Sequence, residues 1–107
     1  MTITELPALG TDVRLVTDLN SVNLSNTTAD IFLLNCPSVT MPTPGSSGVT
    51  GVSNHIAPLT RLINKRESGA TSAYQADMTT VIATLAAPGD WCDLLWTYPT
   101  WTVLCRS

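Results

Sequence analysis

Any chemistry in this chain has to come from three cysteines (Cys36, Cys92 and Cys105), one histidine (His55), and the dense run from Asp90 to Arg106. A cysteine nucleophile needs a base within hydrogen-bond reach and a third group to orient that base. His55 is the only imidazole, and one histidine set against three thiols is a weak constellation. No Cys-x-x-Cys, His-Glu-x-x-His or Gly-x-Ser-x-Gly occurs, and Cys36, His55, Cys92 and Cys105 lack the spacing of a zinc site. Asp90 and Asp93 flank Trp91-Cys92 in the manner of a carboxylate pair beside a sugar-stacking aromatic. On a strand, however, residues three apart point to opposite faces, so these two carboxylates cannot share a substrate. The expectation is a protein that is not an enzyme, with no catalytic, cofactor-binding or metal-ligating residue.

The same run makes better sense as architecture. Residues 91–106 read as a β-hairpin about Tyr98-Pro99. Proline cannot take the positive φ of a primed two-residue turn, so the loop is either a cis Tyr98–Pro99 type VI turn or a four-residue loop, Thr97 to Thr100. A kinked pair of strands belonging to different sheets is the alternative. In the hairpin register Trp96 faces Trp101, Leu94 faces Val103 and Cys92 faces Cys105, all on one side. Directly opposed residues have Cα atoms about 4.5–5.5 Å apart, which makes Cys92 and Cys105 the candidate disulfide. In a reducing cytosol the same pair stays as packed thiols, and the odd Cys36 is free or pairs between chains. The other side carries Trp91, Asp93, Leu95 and Thr97 against Thr100, Thr102, Leu104 and Arg106, with Asp93 diagonal to Arg106. Trp96 and Trp101 are expected in the core. Trp91, Asp93 and Arg106 are left as candidate interface residues.

The elements that hold this hairpin follow from patterning. Asp12 to Leu19 shows partial alternation without a helix cap, which predicts a strand. Ala29 to Cys36 is a continuous apolar run closed by Pro37, suited to a central strand covered on both faces. Between them there is room for a loose hairpin or a short strand at Val22 to Leu24. Met41 to Asn54, with Gly45, Gly48 and Gly51, reads as a flexible Pro/Gly/Ser loop. It lacks the lysine and helix start of a phosphate cradle, and loops of this length are usually functional or disordered, so its glycines join the candidate interface as an arm that orders against a neighbouring subunit. Pro58 to Arg66 suits a short helix, and a strand nearly as well. Ser72 to Ala86 places Tyr74, Met78, Val81, Ile82 and Leu85 on one helical stripe, with a Ser-x-x-Gln start and a Pro88-Gly89 stop. The chain is therefore expected to be a small α+β domain over residues 1–107. It would have an antiparallel sheet of four or more strands, a helix at about 72–86 packed on it, and the hairpin at about 91–106 forming an edge.

Composition narrows the function. Charged residues make up 12% of the 107, where a soluble domain averages about 25%. Seventeen Thr, nine Ser and six Asn take their place, with a net charge of −3 and a single lysine, Lys65. Copies of such a chain repel one another weakly, which tolerates close packing in an assembly. The only basic cluster is Arg61, Lys65 and Arg66, followed at once by Glu67, so no nucleic-acid footprint is expected. The start has neither a basic nor a continuous apolar segment of a signal peptide, and no apolar run approaches a membrane span, so synthesis in a cytosol is expected, with no membrane partner. In overall character the chain resembles a small bacteriophage virion protein, such as a neck, tail or capsid-decoration component. That likeness implies a structural subunit that self-assembles into a ring, tube or shell, needs no cofactor, and contacts copies of itself and other virion proteins in the virion. Two other readings use the same residues: a carbohydrate- or peptide-binding module built on exposed aromatics, and a small inhibitor of a host enzyme.

Overall fold

The computed structural model describes residues 2–6, 10–24, 29–42, 59–97 and 100–107. Among them every regular element is a strand: β1 Thr2–Leu6, β2 Val13–Thr17, β3 Val22–Asn23, β4 Ile31–Asn35, β5 Ser38–Thr40, β6 Leu59–Asn64, β7 Thr71–Tyr74, β8 Val81–Leu85, β9 Trp91–Thr97 and β10 Thr100–Arg106. They form a six-stranded sheet in the order β1-β2-β4-β6-β9-β10 and a four-stranded sheet in the order β3-β5-β7-β8. From β2 to β7 the chain alternates between the sheets. It lays β4 and β6 parallel to β2 on one side, and β5 and β7 parallel to β3 on the other. The β7–β8 hairpin then reverses direction, so β9 enters the large sheet antiparallel to β6. The result is a short two-sided winding closed by hairpins at both margins of the large sheet.

Alternation along each strand builds one core between the sheets. Val16, Phe32, Leu34, Leu62, Cys92, Leu94, Trp96 and Trp101 point inward from the large sheet, and Val22, Val39, Ala73, Ala83 and Leu85 meet them from the small one. Asn64 is the buried polar strut of this core. Its Nδ2 donates to Leu85 O and to Gly69 O, both at 3.0 Å, and its Oδ1 accepts from the Arg66 amide at 2.9 Å, so a single amide ties β6 to β8 and to the β6–β7 connection. Trp96 and Trp101 meet edge to face at 5.4 Å between ring centroids, and the Trp101 indole N–H donates to Pro42 O at 2.9 Å.

The architecture corrects the α+β expectation: the fold is all-β among the described residues, and both sheets are mixed rather than antiparallel. Residues 72–86 form no helix but the β7–β8 hairpin. The helical stripe was an accident of spacing, since Met78 and Val81 within it are 57% and 51% exposed, while Ala73, Ala83 and Leu85 are buried at strand period. Two local forces favour the turn. Thr79, Thr80, Val81 and Ile82 are four consecutive β-branched residues, which suit a strand better than a helix. The Asp77 carboxylate accepts from the amides of Thr79 and Thr80, both at 2.8 Å, offering the backbone a turn in place of a helix. Gln75, expected to cap a helix, instead clasps β10: its Oε1 accepts from Trp101 N and its Nε2 donates to Trp101 O, both at 3.0 Å. Pro58 to Arg66 resolves in favour of the strand, as β6.

Candidate interaction surface

The hairpin keeps its expected register only in part. Thr100 pairs with Thr97, Trp101 with Trp96, Thr102 with Leu95 and Val103 with Leu94, after which a bulge shifts the pairing so that Cys105 faces Asp93 and Arg106 faces Cys92. One inserted residue reverses every side chain beyond it. Cys92 therefore stays buried and Cys105 turns to the exposed side, and all three cysteines are free thiols. The opposed pair that motivated a Cys92–Cys105 disulfide is not formed. Burial pushes the Cys36 and Cys92 thiols up to about 11, which keeps them protonated and poor nucleophiles at neutral pH.

The bulge also separates the candidate interface residues. Arg106 leaves the neighbourhood of Asp93 and donates to Thr84 O of the small sheet at 2.9 Å. Asp93 is instead held in a bidentate pair by Arg61 across β6 and β9, at 2.7 Å from Nε and 3.0 Å from Nη2. The Arg61 guanidinium lies 4.3 Å from the centroid of the Trp91 ring. Arg61 holds the Asp93 carboxyl below its ordinary range by hydrogen bond and charge, and Asp93 raises Arg61 in return. Trp91 and Asp93 are thus brought together, Arg106 is removed from them, and Arg61 and Cys105 are members the sequence did not single out for this face. Arg61 was visible only as part of a basic cluster. Its role depends on the β6–β9 pairing, which hydropathy cannot show. Gly45, Gly48, Gly51, residues 43–54 of the expected loop, His55 and the Tyr98–Pro99 turn lie outside the described residues, while Met41 and Pro42 are buried.

This cluster sits within a larger apolar face. On the outer side of the large sheet the register aligns Leu15, Leu33, Ile63 and Trp91 in one row. Leu6, Val13 and Ile31 lead up to Arg61, Asp93 and Cys105 in the next, and Leu59 pairs with Leu95 beside them. Most of these side chains are partly exposed, and Leu59 is 52% exposed. Among the described residues no second element lies over them, because the small sheet occupies the opposite side. The outer side of the small sheet is different in kind, aligning Ser38 with Ser72 and Thr84, and Asn23 with Thr40 and Tyr74. A sheet packed on one side only leaves its other face to water, and that face is ordinarily polar. The small sheet follows this rule except where Tyr74 pairs with Val81, and the large sheet departs from it across β2, β4, β6 and β9, with Thr4, Thr17, Asn35 and Thr102 toward the margins.

Among the described residues no three His, Cys, Asp or Glu side chains converge on a metal position, and no helix is long and apolar enough to cross a membrane. Compared with known proteins, the chain matches no family model, no curated protein and no solved structure.

Proposed function

We propose that this chain is a non-catalytic structural subunit that assembles with copies of itself and with other structural proteins. The virion of a bacteriophage is the setting that its composition fits best. One observation carries the reading: an aliphatic and aromatic surface runs across β2, β4, β6 and β9 of the large sheet, and its central charges, Arg61 and Asp93, neutralise each other. Contiguous apolar surface of this extent on a small protein marks a contact surface. The neutral pair lets that surface be covered without leaving a charge unpaired. Sugar stacking on Trp91 is less well supported, because Arg61 already occupies one face of the ring.

Size-exclusion chromatography with light scattering on the purified chain tests the proposal. Mass should rise with concentration, or the chain should be recruited into particles on mixing with the structural proteins of a virion lysate. A monodisperse monomer at high concentration that joins no such particle would refute it.

A further inference from the structure

We infer that the outer face of the six-stranded sheet is covered by a second copy of this chain, packed sheet on sheet with Trp91, Arg61 and Asp93 inside the contact. This inference rests on the structural-subunit reading and names the partner and the surface. Six strands about 4.8 Å apart, each about five residues long at about 3.3 Å per residue, present a face on the order of 500 Å². Two such faces together bury on the order of 1,000 Å², which stands at the lower bound for a specific interface and suits a reversible one. A sheet face is complementary to another of its kind, since stacked sheets lie about 10 Å apart with their side chains interdigitated.

Chemistry selects which face meets which. A large-sheet face laid on the small-sheet face of a neighbour would set Ser38, Ser72 and Thr84 against Leu33 and Ile63, where their remaining bonding capacity, beyond Ser21–Ser38 and Ser72–Thr84, would lose water and gain nothing. Like on like sets the aliphatic rows of β2, β4, β6 and β9 against each other with a pair of charges already satisfied within each chain, while Thr4, Thr17, Asn35 and Thr102 lie toward the margins of the face. A contact of one patch with itself is isologous, so it closes as a two-fold pair and does not run on as a filament. The pair is then the building block that other surfaces join into a larger assembly. A lipid surface is the weaker occupant, because Arg61, the cation at the centre of this face, is bound to Asp93.

Sedimentation equilibrium of the full-length chain under reducing conditions tests this, with Leu59→Lys, Leu33→Glu and a control, Thr84→Lys. Leu59 is already 52% exposed, so lysine there leaves the fold intact, and it keeps the test alive if Leu33→Glu fails to fold. The wild type should form a reversible dimer. Leu59→Lys, present twice in a two-fold contact, should raise its dissociation constant about tenfold or more, and Thr84→Lys should leave it unchanged. Acrylamide quenching should fall as the dimer forms, and the change reports Trp91 because Trp96 and Trp101 are only 7% and 4% exposed. An assembly that ignores Leu59→Lys but is weakened by Thr84→Lys overturns the inference and leaves the subunit reading standing. A monomer at every concentration, recruited by no virion protein, overturns both. Binding to phosphatidylcholine–phosphatidylglycerol vesicles without self-association assigns the face to lipid and also overturns it.

Discussion

On the outside of the four-stranded sheet the register stacks Ser38, Ser72 and Thr84, and on the outside of the six-stranded sheet it stacks Leu15, Leu33, Ile63 and Trp91. Both sheets bury their inner residues in the same core, so folding alone asks nothing different of their outer faces. Water accounts for the hydroxyl face. It does not account for the aliphatic one, which adds little to stability in an isolated chain and works against solubility. Comparing the two sheets therefore separates what the fold requires from what it carries for another purpose.

The sharpest way to break that comparison is to cut the same strand on its two sides. Phe32→Ala, on the inner side of β4, should lower the unfolding free energy by about 3–5 kcal/mol in urea titration. Leu33→Ala, its outer neighbour, should cost about 1 kcal/mol or less in dilute solution. Equal costs would mean that the outer face is packed within the chain, and the contrast would collapse.

The next effect concerns the tie between the sheets. Asn64→Leu removes the partner of Leu85 O, Gly69 O and the Arg66 amide at once. It should destabilise by on the order of 2–3 kcal/mol, because buried polar groups would be left unsatisfied. Amide exchange at β8 should accelerate with it. A variant as stable as the wild type would show that the sheets hold together by apolar packing alone.

Acid should act on one carboxylate of each sheet. The Thr80 hydroxyl, with the Thr80 and Thr79 amides, holds Asp77 down to about 2, and Arg61 holds Asp93 below its ordinary value. A lowered folded-state value stabilises the fold above the unfolded value of about 3.9, and that contribution fades as pH falls toward the folded value. Asp77→Asn should flatten the acid side of the stability profile between about pH 4 and pH 2, and Asp93→Asn should flatten it below the ordinary carboxylate range. Only Asp93→Asn should also alter self-association. The smallest change is at the tip of the small sheet, where Met78 adopts φ 67°. Met78→Gly should raise stability by about 0.5–1 kcal/mol in thermal melts, since glycine takes that conformation without strain.

How much of this was legible depended on the range of the interaction. The β9–β10 hairpin, with Trp96 against Trp101, was readable because turn and register lie within one short segment. Trp91 was placed correctly on the outer side by the same alternation. The bulge at Leu104 was not readable, since nothing in Val103-Leu104-Cys105 distinguishes a regular strand from one with an inserted residue, and that single step misplaced both Cys105 and Arg106. The winding was hidden for another reason. β2, β4 and β6 carry aliphatic residues on both faces, so their hydropathy does not alternate and gives no hint of which strands they pair with. For residues 72–86, apolar positions that suit a helix and a hairpin equally were decided by the Asp77 turn and the threonines.

The path of the chain through the two sheets bears on the order in which it can be made. Strands β2, β4 and β6 of the large sheet are each followed by a crossing to the small one, so the parallel pairs close only after an excursion, whereas the β9–β10 pairing is local. Topologies of this kind fold slowly, because distant closures must precede any reward. Strand β6 finds its second neighbour only in β9, which leaves the ribosome after β7 and β8. A nascent chain therefore shows an unpaired β6 edge until β9 is synthesised. That interval is when it is most exposed to aggregation, and when a chaperone or an early-arriving partner has most to shield.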